Sequence, residues 1–449
     1  MKERLAGTIR NALGSRTRVR GLFAIMDKAV VGLFGVVFCV LIIRQLSKEE
    51  FGAFILSESF RLILISSVDV AVGQAMIKYI SERDAAEQPA ILFNSFVFKI
   101  VLWVVCTAVL VALSFNTGIL FEGDRVGELL RLLPVLMLAM LLNNLPKQFL
   151  TAKLDIKRVF ILDLSLFALF LIGFYFFSGW LVSAGRVILF LSAIYIINSV
   201  QGWLQMSGKV SFALRFDLAW IKKLYFFSKH ALANNIGMNI YNQSSPVIIG
   251  ILMDETAVAV FGASMVFIQF FFMMGEAFNM ILFPVVSRES RGEEGRARAA
   301  VMYEKYLSYM LIICVPAAVI FIAFPDIILD LLYDGKYNGT EAVTVLRFIG
   351  LWGIIAPFVR LLGSVVNGMD RPDLLAAAVA ISAIAIIALN FAFIPLWGVA
   401  GSGAALLVSI CVMFLAVHLL TSRFIKVSYT APVAGAFRLC ASLLTQRRG

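Results

Sequence analysis

Apolar runs of about twenty residues recur along this chain, and that repetition constrains its fold more than any other feature. Folded as a helix, one such run spans the ~30 Å hydrocarbon core of a bilayer. The runs are read at 22–43, 51–78, 90–114, 128–146, 159–181, 187–206, 225–251, 258–286, 303–324, 342–366, 374–396 and 401–422. Of the 449 residues, 61% are hydrophobic and 15% charged, against about 45–50% and about 25% in soluble domains. A soluble chain of this length would form two or three domains, and there are too few polar residues to cover them. The composition excludes a soluble enzyme, a disulfide-stapled secreted scaffold and a disordered protein. The expectation is an all-α polytopic membrane protein with twelve transmembrane helices in two six-helix bundles.

The net charge is +11, from 39 Lys and Arg against 28 Asp and Glu. Its placement alternates along the chain. Twenty-eight of the basic residues fall before 22, at 78–90, 146–158, 207–230, 287–305 and 367–373, and after 422. Six fall in the intervening loops, and five lie inside runs: Lys28, Arg61, Lys99, Arg347 and Arg360. The excess of Lys and Arg on cytoplasmic loops then puts both termini in the cytoplasm, in the cell (inner) membrane. The basic surplus orients the chain and meets anionic lipid; nucleic acid is not an expected partner. The basic start followed by an apolar run imitates a signal peptide. Arg44 closes that run without a small-residue cleavage site, so it reads as a retained helix. Five cysteines and two histidines, without paired spacing, give no disulfide framework and no zinc site. Gly202 to Lys209 imitates a phosphate loop, but the glycine spacing is one residue too long and Val210 stands where a hydroxyl is needed. No nucleophile constellation is visible, so an enzyme is not expected, nor a cofactor.

The loops leave no room for an extramembrane domain, and the chain repeats itself. Phe51-Gly52-Ala53 returns as Phe261-Gly262-Ala263, Leu130-Arg131 as Leu346-Arg347, and Lys153-Leu154-Asp155 is echoed by Met369-Asp370-Arg371. The offsets are nearly one value, which indicates two six-helix halves inserted in the same orientation. A parallel repeat of this kind puts the substrate path between its halves. The organisation expected is an N-terminal lobe at 1–206, a cytoplasmic linker at 207–224, a C-terminal lobe at 225–422 and a cytoplasmic tail at 423–449. The linker mixes Lys209, Arg215, Lys222 and Lys223 with Phe212, Phe216, Leu218 and Trp220, the pattern of an amphipathic helix on the inner leaflet.

A charge at mid-membrane costs roughly 2.5–3.5 kcal/mol on insertion scales, so the charges kept there call for a reason. Arg61 is about ten residues, ~15 Å, into its run, and Lys99 about nine. In an ideal helix Glu58 and Asp69 lie only ~20° apart and Arg61 ~60° from Glu58, which makes one face ionic. Lys28 and Asp27 sit nearer an end, where Lys28 could snorkel; Arg347 and Arg360 read as snorkelling residues at helix ends. Two readings stay open. The ions pair internally, as Glu58–Arg61 or Asp27–Lys28, and lock helices together; or the cations line a cavity for an anion. The seventh run carries amides at Asn235, Asn239, Asn242 and Gln243 on one face, followed by Pro246. The eighth adds Gln269, Glu276 and Asn279. These stripes are either polar glue between helices or the wall of a hydrated cavity, where amides suit sugar hydroxyls because each both donates and accepts.

Three junctions carry a resemblance. Arg44-Gln45-Leu46-Ser47-Lys48-Glu49-Glu50-Phe51-Gly52 resembles the junction after the first helix of polysaccharide flippases. Asp69-Val70-Ala71-Val72-Gly73-Gln74-Ala75-Met76-Ile77-Lys78-Tyr79-Ile80-Ser81-Glu82 is similar to their second-helix exit. Asn390-Phe391-Ala392-Phe393-Ile394-Pro395-Leu396-Trp397-Gly398-Val399-Ala400, continuing into Gly401-Ser402-Gly403-Ala404-Ala405, resembles their late "N-x-x-h-I-P-x-x-G-h-x-G-A-A" stretch, with h apolar, except for an extra glycine. The resemblance is to the multidrug/oligosaccharidyl-lipid/polysaccharide exporter superfamily, in its Wzx-like branch. It implies flipping of polyprenyl-pyrophosphate-linked oligosaccharide, the repeat unit of a surface polysaccharide or O-antigen, from inner to outer leaflet by alternating access. On that view Arg61, Lys99 and Lys28 hold the pyrophosphate or acidic sugars and the amide stripe holds hydroxyls. Glu58, Asp69 and Glu276 are candidates for coupling to H⁺ or Na⁺. The implied partners are the lipid-linked glycan, membrane lipids and other polysaccharide-assembly membrane proteins. Two rivals share the fold: a drug exporter, which would want an acidic, aromatic cavity, and a peptidoglycan-precursor lipid flippase, whose members usually carry two additional helices.

Overall fold

The computed structural model describes residues 2–121, 124–208, 215–289, 292–369 and 371–446, and among them every regular element is helical. In chain order these are α1 (Lys2–Gln45), α2 (Lys48–Arg61), α3 (Ser67–Glu82), α4 (Gln88–Ser114), the single turn α5 (Thr117–Leu120), α6 (Arg125–Ala152), α7 (Ile156–Phe177) and α8 (Ala184–Ser207). There follow α9 (Leu218–Leu252), α10 (Glu255–Met265), α11 (Ile268–Glu289), α12 (Gly292–Ala323), α13 (Pro325–Tyr333), α14 (Ala342–Gly368), α15 (Pro372–Thr421) and α16 (Thr430–Gln446). Ten helical stretches among the described residues are long and apolar enough to cross a membrane, so the chain is a multi-pass membrane protein. The α15 stretch counts once but is two helices, broken at Trp397 (φ −132°) and Gly398 (φ 59°). At 35 residues α9 is long enough, yet it is not among the ten. The amides that mark it in the sequence offset the hydropathy of its isoleucines and valine.

The chain divides into two compact units, Met1–Ile236 and Gly237–Gly449. The division falls inside α9 rather than in a loop. In unit 1, Met76, Ile80, Ile91, Leu145, Phe149 and Trp220 form a buried cluster from α3, α4, α6 and the start of α9. Asn94 fixes the approach to α9: its amide donates to the Arg215 carbonyl at 3.0 Å and accepts from the Asp217 N–H at 2.9 Å. Of the expected amphipathic linker, residues 209–214 lie outside the described residues. Trp220 is buried in the unit 1 core.

The second helix of each half is interrupted. In unit 1, α2 passes into α3 through a π turn at Leu62–Ser66. In unit 2, α10 gives way to α11 through a turn at 266–267. Both first segments open on a side-chain cap: Ser47 Oγ accepts from the Glu50 N–H at 3.2 Å, and an Asp254 carboxylate oxygen accepts from the Ala257 N–H at 2.7 Å. The repeated Phe-Gly-Ala triplets are buried in both.

In unit 2 the late junction motif has a mechanical meaning. Gly398 takes the left-handed φ that side chains resist, and Glu341 accepts the freed Ala400 N–H at 2.6 Å, capping the second arm of α15. Asn390 is fully buried and ties three segments together. Its amide donates to Ser245 Oγ of α9 at 3.0 Å, and its Oδ1 accepts from Ser402 Oγ of the second arm at 2.8 Å. The extra glycine also has a use, since a Cβ at Gly403 would come within 2.9 Å of the Phe348 ring on α14. Across unit 2, the Phe271 ring of α11 occupies the space a Cβ at Gly353 would take, 2.0 Å away. That contact brings α11 and α14 close enough for their polar residues to meet.

Candidate functional site

Polar residues of the long helices gather in three clusters, two in unit 1 and one in unit 2. In unit 1 the π turn decides the membership. In a uniform α-helix Arg61 and Asp69 would stand ~80° apart. A π turn adds one residue to the winding, which brings that separation down to about 20° and turns Asp69 away from Glu58. Arg61, Asp69, Lys99 and Asn144 accordingly line one cavity of about 160 Å³, and Glu58 is not among its lining residues.

The charges of this cluster are paired. Lys99 is only 1% exposed. Its ammonium forms an ion pair with Asp69 and donates to Gln148 Oε1 at 2.6 Å. Asn144 donates to the other Asp69 oxygen at 2.8 Å. Gly73 makes room for this: a Cβ there would come within 2.4 Å of the Gln148 amide. Arg61, 8% exposed, is chelated by Glu58 through three N–H···O contacts of 2.6–2.9 Å. Lys28 stands apart on the exposed side of α1, while its neighbour Asp27 is buried.

A second polar node in unit 1 escaped the sequence reading. Lys147 reaches both oxygens of Asp163, at 2.7 and 2.6 Å, and Asp163 faces Asp27 across α1 and α7. Lys147, Asp163, Asn143 and Tyr195 line a cavity of about 100 Å³. Lys147 reads in the sequence as a loop charge. Asp163, seven residues into α7, was the available signal.

In unit 2 a cavity of about 180 Å³ is lined by Asn242, Glu276, Asn279, Arg360, Ser364 and Asn367, among others. The amide stripe is therefore divided. Asn242 lines the cavity and Asn239 and Gln243 do not, while Asn235 falls in unit 1 and bonds its own helix at the Ala231 carbonyl, 2.8 Å away. Arg360, which the sequence suggests as a snorkelling residue, lines the cavity instead. It lies eight residues, ~12 Å, before the end of α14, with its guanidinium 4.1 Å over the Phe272 ring and 3.7 Å from Glu276. Arg347 keeps to a helix end, 3.9 Å from Asp326.

A family model described as "Polysaccharide biosynthesis protein" matches residues 41–342. The chain belongs to that family. The match runs from the end of α1 to the start of α14, across the first two of the three junctions. Among individual relatives, the probable low-salt glycan biosynthesis flippase Agl15 of Haloferax volcanii is 24% identical over 46% of this chain and 43% of its own length. An uncharacterized membrane protein of Methanocaldococcus jannaschii is 28% identical over 27% of this chain and 24% of its own. The chain thus spans less than half the length of these relatives. Two solved structures share the fold. The lipid II flippase MurJ, in an inward closed conformation, aligns with a TM-score of 0.70 at 12% identity, over 94% of this chain and 92% of that one. An inward-facing multidrug resistance MATE transporter of the MOP superfamily aligns with a TM-score of 0.64 at 15% identity, over 90% and 95%. This member of the polysaccharide biosynthesis family has the fold of a MOP-superfamily transporter, as the junction motifs led one to expect.

Proposed function

We propose that the chain flips a polyprenyl-diphosphate-linked oligosaccharide, the repeat unit of a surface polysaccharide, across the cytoplasmic membrane by alternating access. The observation that carries this reading is the pair of cations, Arg61 and Lys99, in one cavity between helices long and apolar enough to cross a membrane, in a member of a polysaccharide biosynthesis family. Two fixed cations suit a diphosphate, whose charge is similar and opposite. Glu58 and Asp69 serve as their counter-ions when the substrate is absent, which keeps the charges paired in a medium where an unpaired ion is costly. Entry of H⁺ or Na⁺ at Glu58, Asp69 or Glu276 drives the cycle. Moving one charge through 100 mV supplies ~2.3 kcal/mol.

A cation-drug exporter of the same fold fits less well, because two cations, Arg61 and Lys99, and one carboxylate, Asp69, line the unit 1 cavity. The reading also takes the membrane to be crossed twelve times, counting α9 and both arms of α15, with both termini cytoplasmic. Membrane-impermeant labelling of Asp334→Cys but not Gly292→Cys from outside is the expected pattern.

The direct test uses the purified chain in liposomes with a fluorescent polyprenyl-diphosphate disaccharide in the inner leaflet. Protein-dependent appearance of the probe in the outer leaflet is expected. Probe that stays put while a lipophilic dye cation moves would assign the chain to drug export.

A further inference from the structure

Buried guanidinium groups are normally satisfied by oxygen acceptors, because five N–H donors held away from water are costly. Arg360 is partly exposed and, among the described residues, has no such protein acceptor. Its nearest carboxylate, Glu276, is 3.7 Å away, beyond hydrogen-bonding reach. Its side chain is 27% exposed and that of Glu276 66%. Among the described residues the guanidinium makes no hydrogen bond. What fixes its position is packing. The Phe272 ring lies beneath it, and its stem runs over Gly275, where a Cβ would come within 2.6 Å of Arg360 Cδ. The group is held in place with its donors unused, and it borders a cavity whose wall also offers Asn242, Asn279 and Asn367. Asn279 Oδ1 is a buried acceptor with no donor among the described residues.

The charge balance selects the ligand. One arginine can neutralise one negative charge, and Glu276 competes for it. A diphosphate, with two charges or more, would be left under-neutralised here. A carboxylate carries one charge and meets a guanidinium fork through two parallel bonds. A sugar ring behind that carboxylate presents hydroxyls, which the amides can both donate to and accept from. We infer that this cavity is a subsite for an acidic sugar. Its carboxylate takes the free donors of Arg360, Glu276 gives way as resident counter-ion, and its hydroxyls meet Asn242, Asn279 and Asn367. The inference rests on the lipid-linked glycan reading and adds that the glycan carries a uronic-acid-type residue.

The test separates the two ideas. Asn242→Cys is introduced into the full chain in nanodiscs and labelled with a small thiol reagent, with methyl glucuronide or methyl glucoside as competitor. Glucuronide is expected to slow labelling at concentrations at least about tenfold lower than glucoside, a difference of about 1.4 kcal/mol in binding. Glu276→Gln should widen that ratio. Arg360→Lys, which keeps the charge and loses the fork, should narrow it, and Arg360→Ala should abolish it. Equal protection by both sugars, no protection by either, or a ratio that survives Arg360→Ala would each overturn the subsite. The liposome assay, run with probes ending in glucuronic acid or glucose, addresses the flippase reading by itself. Failure to flip either probe while the labelling ratio holds would remove that reading and leave an acidic-sugar site in place.

Discussion

The two units hold similar polar residues and use them differently. In unit 1, Arg61 is chelated by Glu58 and Lys99 is enclosed by Asp69 and Gln148. In unit 2, Arg360 has a stacked position and a loose acidic neighbour. A cation that the fold has already neutralised holds the helices together until a ligand displaces its counter-ion. A cation held by packing alone has its donors ready for a ligand. Burial by itself does not distinguish the two; the number of oxygen atoms already within bonding distance does.

The largest effect should come from Lys99→Ala, which leaves Asp69 beside an empty site at membrane depth. Removing one partner of a buried pair costs about 3–5 kcal/mol, so the melting temperature in detergent should drop sharply. Lys99→Ala with Asp69→Ala should recover most of it. A double variant as unstable as the single one would mean that packing, not charge, is what Lys99 supplies. Next in size, Arg61→Ala removes three charge-assisted contacts and should cost about 1.5–3 kcal/mol. Adding Glu58→Ala should restore protein levels without restoring flipping. Flipping restored by the double variant would make the pair a helix lock and remove Arg61 from the substrate path.

These contrasts also indicate what the sequence could convey. The apolar runs predict every long helix, because burying backbone in lipid demands one. The junction at Asn390–Gly403 predicts a break, since Pro395 and Gly398 tolerate one and most residues do not. The polar side chains of α9 were visible, but their separation between two units was not: one helix face is shared by two packing environments. Arg360 reads in the sequence as a snorkelling residue because it lies near a helix end, whereas Phe272 and Gly275, some 85 residues earlier in the chain, hold it in place. Asp163 and Lys147 meet only because α6 and α7 pack together, and no spacing in the sequence reports that.

Smaller effects sharpen the comparison. Gly73→Ala should displace the flexible end of Gln148 and cost about 1 kcal/mol, one hydrogen bond to Lys99. A thermal shift of only a few degrees would show it, while a collapse would mean that the glycine serves backbone packing instead. Least of all, Arg360→Ala should change stability by under about 1 kcal/mol, as partly exposed pairs at such distance contribute little. A loss as large as that of Lys99→Ala would erase the distinction between the units.

The π turn at Leu62–Ser66 bears on how this chain tolerates insertion and deletion. It stores one surplus residue inside a continuous rod. Deleting one residue there would leave the rod shorter by about 1.5 Å, a trivial change to the loops at either end. The turn would relax to a uniform α-helix in which Asp69, then seven residues after Arg61, still stands about 20° from it, so everything beyond the deletion would keep its facing. In the divergence of such proteins, a one-residue gap at this point would leave the chemistry of the cavity in place, whereas the same gap elsewhere in the rod would turn one arm by about 100° and exchange it.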